Sequence, residues 1–383
     1  MDSELQEFRI DIDPAAVADL RRRLVATRWP EPLPGRPWDR GVPVAYLKEL
    51  AGHWADRFDV RAAMDEINAH PQFLATIDGQ RIHFLHVRSS RPDATPLLLL
   101  HGWPGSVAEF LDVIGPLTDP AGHGAPDAPA FHLVVPSLPG FGFSGPVTEP
   151  GWTSARTAAA LAVLMERLGY RRYGVQGGDM GAGIAPEIAR ADADHVIGIH
   201  VNAATMGFIP WGDISDEERA GLTDVEQERV DRLGHYMAEM AGYMQLQSTR
   251  PETLGFGLTD SPAGQLAWIV EKFREWTDER HELPEDAVGR DRLLLDVSVY
   301  WFTGTAASSA NAYYEDAHAW SAPSRSEIPV GVAAFGQDVA IRRWSEGTNN
   351  IVHWTDVPTG GHFAAMETPG LLVADVRTFF AGL

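Results

Sequence analysis

The sequence predicts an α/β protein built on a mostly parallel sheet with helices on both faces, and a helical body inserted late in the chain. Three observations carry this. Continuous apolar runs of strand length recur at Pro96-Leu97-Leu98-Leu99-Leu100, His132-Leu133-Val134-Val135 and Pro329-Val330-Gly331-Val332-Ala333-Ala334-Phe335, as expected of strands buried on both faces. Stretches of helical spacing alternate with them. From about Gly207 to Trp320 the strand signal vanishes and helical patterns take over.

Each segment follows in order. Residues 1–75 read as a helical N-terminal segment: Asp13-Pro14 starts a helix, and further helices are expected from about Val44 to Arg57 and Arg61 to Asn68. Phe73–Ile77 and Arg81–Val87 flank Asp78-Gly79, a hairpin signal. Residues 76–206 form the first part of the core. It contains a helix over Thr153–Leu168, a strand over Tyr173–Gln176, a helix opening at Ala182, and a strand over His195–Val201. Residues 207–322 form a helical cap, clearest at Pro262–Trp276 and Arg292–Phe302. A helical insertion in a parallel core has the layout of a lid. Residues 323–383 complete the core with the strands at Pro329–Phe335 and Asn350–Trp354 and a helix over Pro369–Phe380.

Composition excludes several classes. The 383 residues carry 31 Lys and Arg against 53 Asp and Glu, a net charge of -22, which repels nucleic acid and anionic membranes. There is no cysteine, hence no disulfide framework or thiolate chemistry. The first residues lack a signal-peptide pattern, and no apolar run approaches the ~20 residues of a membrane span. A cytoplasmic protein is expected. No metal-ligand spacing is found, and no cofactor motif: the glycines of Gly181-Ala182-Gly183-Ile184-Ala185 serve close helix packing.

The chemistry centres on Tyr173-Gly174-Val175-Gln176-Gly177-Gly178-Asp179-Met180-Gly181. It reads as a strand, a sharp glycine-rich turn and a helix, which is the layout of a nucleophile elbow, with small residues two before and two after the central one. The central residue is a carboxylate. A serine attacking an sp3 carbon would form an ether; Asp179 would form an ester, hydrolysable at its own carbonyl. Alkyl transfer from an epoxide or alkyl halide, followed by ester hydrolysis, fits such a residue. The bland alternative is a strand-end Asp capping the next helix.

An elbow enzyme places acid and then His after the nucleophile. Asp338 follows the late strand in Phe335-Gly336-Gln337-Asp338, and His362 stands before the last helix in Thr359-Gly360-Gly361-His362-Phe363. Singly, they read as a turn Asp and a surface His. In this order they read as orienting acid and general base. The backbone N–H groups of Trp103 and Met180 are expected to form the oxyanion hole, with His101 holding the loop.

The elbow Asp, His101-Gly102-Trp103-Pro104-Gly105-Ser106 and Gly360-Gly361-His362-Phe363 resemble an epoxide hydrolase of the α/β-hydrolase superfamily. Several stretches are similar to its microsomal-type branch: Phe8-Arg9-Ile10, Leu24-Val25-Ala26-Thr27-Arg28-Trp29-Pro30, Gly242-Tyr243-Met244, Ser248 to Leu254, Asp260-Ser261-Pro262 and Tyr300 to Thr305. The resemblance spans nearly the whole chain. It implies the α/β-hydrolase fold and conversion of an epoxide and water to a vicinal diol, with no cofactor and no metal. It also implies two cap tyrosines that grip the epoxide oxygen: Tyr243 fits the first, and Tyr313-Tyr314 offers two candidates for the second, of which Tyr314 matches the family pattern better and Tyr313 keeps a packing reading. Trp103, Met180, Tyr243 and Tyr313 would line the substrate pocket. Two departures stand out. The family commonly has Trp after the nucleophile where this chain has Met180, which widens the pocket wall. A member without the membrane anchor of the animal enzymes is expected, similar to soluble bacterial-type members, some of which serve secondary metabolism. A bulky or aryl epoxide is the expected substrate; a biosynthetic and a detoxifying role both stay open, as does a homodimer. The rivals are a dehalogenase using the same Asp179 and a catalytically silent binding protein of the same fold.

Overall fold

The computed structural model describes residues 5–210, 212, 214–319 and 324–383. The chain opens with β1 (Gln6–Phe8), α1 (Pro14–Val25), α2 (Val44–Asp56) and α3 (Val60–Asn68). The Asp13 carboxylate accepts the Ala15 N–H and Pro14 stands in the first turn of α1, so cap and proline together set the helix start. Asp59 does the same for α3, accepting from Arg61 and Ala62. The hairpin β2 (Gln72–Ile77) and β3 (Gln80–Val87) turns at Asp78 and Gly79, whose φ values are 49° and 74°. Two successive positive φ angles are what a type I′ turn requires.

The core then alternates β4 (Thr95–Leu100), α4 (Leu111–Thr118), β5 (Phe131–Pro136), α5 (Ser154–Arg167), β6 (Tyr173–Gly178), α6 (Met180–Ala191) and β7 (Val196–Asn202). A helical stretch follows: α7 (Asp216–Ala220), α8 (Asp224–His235), α9 (Gly242–Thr249), α10 (Pro251–Asp260), α11 (Pro262–Trp276), α12 (Pro284–Val288), α13 (Arg290–Thr303) and α14 (Ala306–Ala319). One π-helical turn, Tyr236–Met240, lies between α8 and α9. The chain returns to the sheet with β8 (Pro329–Ala334), α15 (Arg342–Ser345), β9 (Asn350–Asp356), α16 (Ala364–Glu367) and α17 (Pro369–Ala381).

Among the described residues the nine strands form one sheet in the order β1-β2-β3-β5-β4-β6-β7-β8-β9. The pairings β1–β2, β2–β3 and β3–β5 are antiparallel, and the rest are parallel. Leu97, Leu98, Leu133, Val134, Val135, Val175 and Val332 are fully buried. Each contributes about 1.5–3 kcal/mol of hydrophobic stabilisation, and together they explain the continuous apolar runs. Leu100 lies opposite Gly177, Gly177 opposite Val201, and Val201 opposite Val332. The carboxyl ends of β4, β6, β7 and β8 therefore meet on one rim, where an open α/β sheet binds its ligands.

Two local expectations change. Helix α6 begins at Met180, not Ala182, because the backbone at Asp179 already serves as its cap. Strand β1 adds an edge to a segment expected to be helical. Trp320, Met1 to Glu4 and the 322/323 boundary lie outside the described residues.

The N-terminal helices grip the inserted ones directly. The Trp54 indole donates to Ser298 Oγ at 2.9 Å, in the heart of α13. Arg23 reaches both the carbonyl and the carboxylate of Asp260, at 2.8 and 2.9 Å, at the end of α10. Among the described residues no helix is long and apolar enough to cross a membrane.

Candidate active site

Asp179 stands at the rim, between β6 and α6, with φ 55° and ψ -119°. A non-glycine residue held there carries strain of order 1–3 kcal/mol, so the surroundings must over-determine it. They do. A Cβ on Gly177 would lie 2.4 Å from the Gly181 carbonyl, and one on Gly181 would lie 2.3 Å from Leu100 O. Only glycine lets β6, α6 and β4 close this tightly. A Cβ on Gly102 would lie 2.2 Å from Asp179 Oδ1, so the loop after β4 touches the carboxylate itself. The Trp103 N–H donates to Oδ1 at 2.9 Å. Met180 is the first residue of α6, and its N–H is among those a helix leaves without an intrahelical acceptor. His101 is buried under this loop. One ring nitrogen lies 2.9 Å from Gly102 O, and the other accepts the Leu138 N–H at 3.1 Å.

The second carboxylate oxygen faces His362, with Nε2 3.5 Å from Asp179 Oδ2. The loop carrying His362 is pressed onto the end of α11: His362 N–H donates to Trp276 O at 2.8 Å, and a Cβ on Gly361 would lie 2.4 Å from that oxygen. Gly360 supplies the turn, with φ 80°. The imidazole packs on the Trp276 ring at 4.9 Å. Burial holds its pKa below the ordinary histidine value, while the charges of Asp179 and Asp338 pull the other way.

Asp338 follows β8 and is buried. Its Oδ1 accepts the Ala340 N–H at 2.9 Å, whereas Oδ2 is buried with no hydrogen-bond partner among the described residues. Burial raises its pKa; the Ala340 N–H, the Arg229 and His362 charges and the Val339 N–H restrain the rise. A buried acceptor with open lone pairs is uncommon in a folded protein, and here it lies within the electrostatic reach of His362.

An aromatic box covers the carboxylate. Tyr243, in the first turn of α9, stacks on the Trp103 indole at 5.1 Å with the planes 7° apart. Trp276 meets Tyr243 edge-on at 5.3 Å. Tyr313 of α14 meets both Trp103 and Tyr243 at 5.9 Å. The Tyr313 phenol is pushed well above its ordinary pKa by burial first and by the Asp179 charge second.

Family models match the chain in two overlapping blocks, one described as the epoxide hydrolase N terminus over residues 5–110 and one as the alpha/beta hydrolase fold over residues 95–369. A provisionally named epoxide hydrolase of Stigmatella aurantiaca is 44% identical, covering 98% of this chain and 84% of its own. Epoxide hydrolase 1 of Sus scrofa is 34% identical, covering 99% of this chain and 89% of its own. The crystal structure of juvenile hormone epoxide hydrolase from the silkworm Bombyx mori superposes with a TM-score of 0.89 at 30% identity, covering 100% of this chain and 95% of its own. The chain belongs to the epoxide hydrolase family.

Against the residues expected for an epoxide hydrolase, the rim brings together Asp179, His362, Trp103, Met180 and Tyr243. Asp338 lies in the next loop along the rim. Tyr314 is the correction. It is 38% exposed and stacks on His318 at 3.9 Å, whereas Tyr313 joins the box. Consecutive helical residues point about 100° apart, so only one of the pair can face Asp179.

Three further residues packed around Tyr243 escaped sequence reasoning. Tyr236, at the start of the π turn, has its hydroxyl 2.9 Å from that of Tyr243, and burial pushes its pKa up to about 12. Its spacing of seven from Tyr243 puts both on one helical face, which was the available signal. Lys272 is buried between Glu271 and Glu275, at 2.7 and 2.6 Å, with Nζ 4.8 Å from the Tyr243 ring centre. Trp276 was visible only as a core position of α11.

Proposed function

We propose that this epoxide hydrolase works through a covalent ester on Asp179. Asp179 Oδ2 attacks an epoxide carbon, the ring C–O bond breaks, and a phenol proton from Tyr243 or Tyr313 passes to the departing oxygen. That oxygen would otherwise leave as an alkoxide, far more basic than a phenol of pKa about 10. His362 Nε2 then takes a proton from water as the water oxygen bonds to Cγ. Charge develops on Oδ1, where the N–H groups of Trp103 and Met180 receive it. The Cγ–Oδ2 bond breaks, His362 returns its proton to Oδ2, the second water proton leaves the new Asp179 carboxyl for the phenolate, and a vicinal diol departs. Asp338 Oδ2, whose lone pairs are open, would accept the Nδ1–H of His362 once the ring turns to meet it, and so fix the tautomer in which Nε2 is basic.

One observation supports this reading above the others. The two oxygens of a single carboxylate are already differentiated, Oδ1 by the Trp103 amide at 2.9 Å and Oδ2 by His362 at 3.5 Å. An ester with a polarised carbonyl needs that asymmetry; a helix cap does not. The rings of Trp103, Trp276, Tyr243 and Tyr313 support a bulky or aryl epoxide as substrate.

The test uses racemic styrene oxide. Asp179→Ala is expected to abolish diol formation, and His362→Gln to accumulate an adduct visible as a mass increment on the intact protein. Full turnover by Asp179→Ala would end the proposal.

A further inference from the structure

Beside Asp179 lies a small cavity of ≈10 Å³, counted as the space open to the centre of a water molecule. A void of roughly that size holds one water if two to four polar groups face it. Its polar walls are Glu109, Asp179, Asn202 and His362; Phe110 and Leu372 are apolar walls. Asp179 and His362 belong to the reaction described above. Asn202 is engaged, accepting from Gln176 at 2.8 Å and donating toward His362 O at 3.4 Å. Glu109 is the wall residue that the ester mechanism leaves without a role.

The fold makes room for this side chain. Its carboxyl bends back across the loop after β4, so that a Cβ on Gly105 would lie 1.3 Å from Glu109 Oε1. No hydrogen bond from a described residue reaches that carboxyl, although it faces a cavity of water size. Burial first, then the charges of Asp296 and Asp179, hold its pKa well above the carboxylate range. Adjacent carboxyl groups in a buried site do not both ionise. The same two effects favour the neutral form of Glu109, which has a carbonyl oxygen to accept and an O–H to donate.

We propose that Glu109 positions the hydrolytic water of the second half-reaction. Its carbonyl oxygen accepts one water hydrogen, His362 Nε2 takes the other, and the water oxygen is left aimed at Cγ of the ester. This rests on the ester mechanism above. In the attack, one water O–H bond breaks, its proton goes to His362, the new O–Cγ bond forms, and the Cγ–Oδ1 π pair moves onto Oδ1. Glu109 exchanges no proton.

Glu109→Gln keeps a carbonyl acceptor and Glu109→Met removes it at similar volume. Single turnovers with styrene oxide, followed by intact-protein mass, resolve ester formation from ester decay. The Met variant is expected to form the ester at the wild-type rate and to lose it about 10–100-fold more slowly, the loss of one hydrogen bond to a buried group. The Gln variant is expected to restore decay to most of the wild-type rate. Decay at the wild-type rate in the Met variant would overturn the proposal. So would formation and decay slowed equally with a lowered melting temperature, which marks a packing role. A Gln variant as slow as the Met variant would show that an ionised carboxylate is needed, and would also overturn it. Absence of any adduct in His362→Gln is a different failure, that of the ester mechanism itself.

Discussion

Asp179 combines strain with a carboxylate open to attack: its φ is positive, Gly102 omits the Cβ that would crowd its Oδ1, and Gly177 and Gly181 let β6, α6 and β4 close around the turn. The same scale decides between two neighbouring tyrosines. Tyr313→Phe is expected to slow ester formation about 10–100-fold, the range of one lost proton donor, and Tyr314→Phe to leave it unchanged. Stopped-flow measurement of ester formation in both variants checks this; the reverse ranking would return Tyr314 to the site. At His362, burial lowers the pKa, so the imidazole stays neutral and basic below the ordinary histidine range. Ester hydrolysis should therefore lose rate only on the acid side of about pH 6.5. The pH profile of single-turnover ester decay tests the sign, and an acid limb lying above that value would contradict it.

Among the elements, the loop at 359–363 shows how a catalytic position is built from backbone amides. The Gly360 N–H donates to Asp278 Oδ2 at 2.7 Å, and the Phe363 N–H to Glu367 Oε1 at 3.0 Å. Glu367 Oε2 also accepts the Asp278 N–H at 2.8 Å, so one carboxyl ties the His362 loop to the end of α11. Glu367→Ala leaves buried amides unpaired and is expected to cost about 1–3 kcal/mol. It should lower kcat more than it raises KM. Chemical denaturation and steady-state kinetics check it, and unchanged stability would contradict it. Elements also show where sequence reading succeeds. Pro262–Trp276 was legible to the residue because Ser261 and Pro262 mark its start and Leu266, Ile269, Val270 and Phe273 mark its period. The start of α6 was not, because Gly181 and Gly183 are poor helix formers and hide a start set by Asp179. Strand β1 was not, because three residues at a sheet edge carry too little pattern to register.

The whole molecule is held by ties between distant segments. Asp375 of α17 accepts from Thr355 Oγ1 at 2.6 Å and pairs with His200 Nε2 at 2.8 Å and His353 Nε2 at 3.0 Å, joining α17 to β7 and β9. Burial alone would raise its pKa, but the hydrogen bond and charge of His200, with Thr355 and His353, bring it down to about 2. The folded value lies below the unfolded one of about 3.9. This stabilisation, on the order of 2 kcal/mol, is therefore full above about pH 4 and lost as pH falls toward about 2. The gap in unfolding free energy between the wild type and Asp375→Asn should shrink over that window. A gap independent of pH would refute the assignment. The sequence by itself determined the parallel sheet, the elbow, the order Asp179, Asp338, His362 and the helical insertion, because periodicity, glycine spacing and chain order are local or linear properties. Only the tertiary structure decided that Tyr313 and not Tyr314 faces Asp179, and that Tyr236, Lys272 and Trp276 enclose Tyr243. It alone brought Glu109 to the same small cavity as His362. Which side of a helix turns inward, and which residues meet across 253 positions of chain, depend on how the inserted helices pack on the sheet rim; no stretch of sequence contains that geometry.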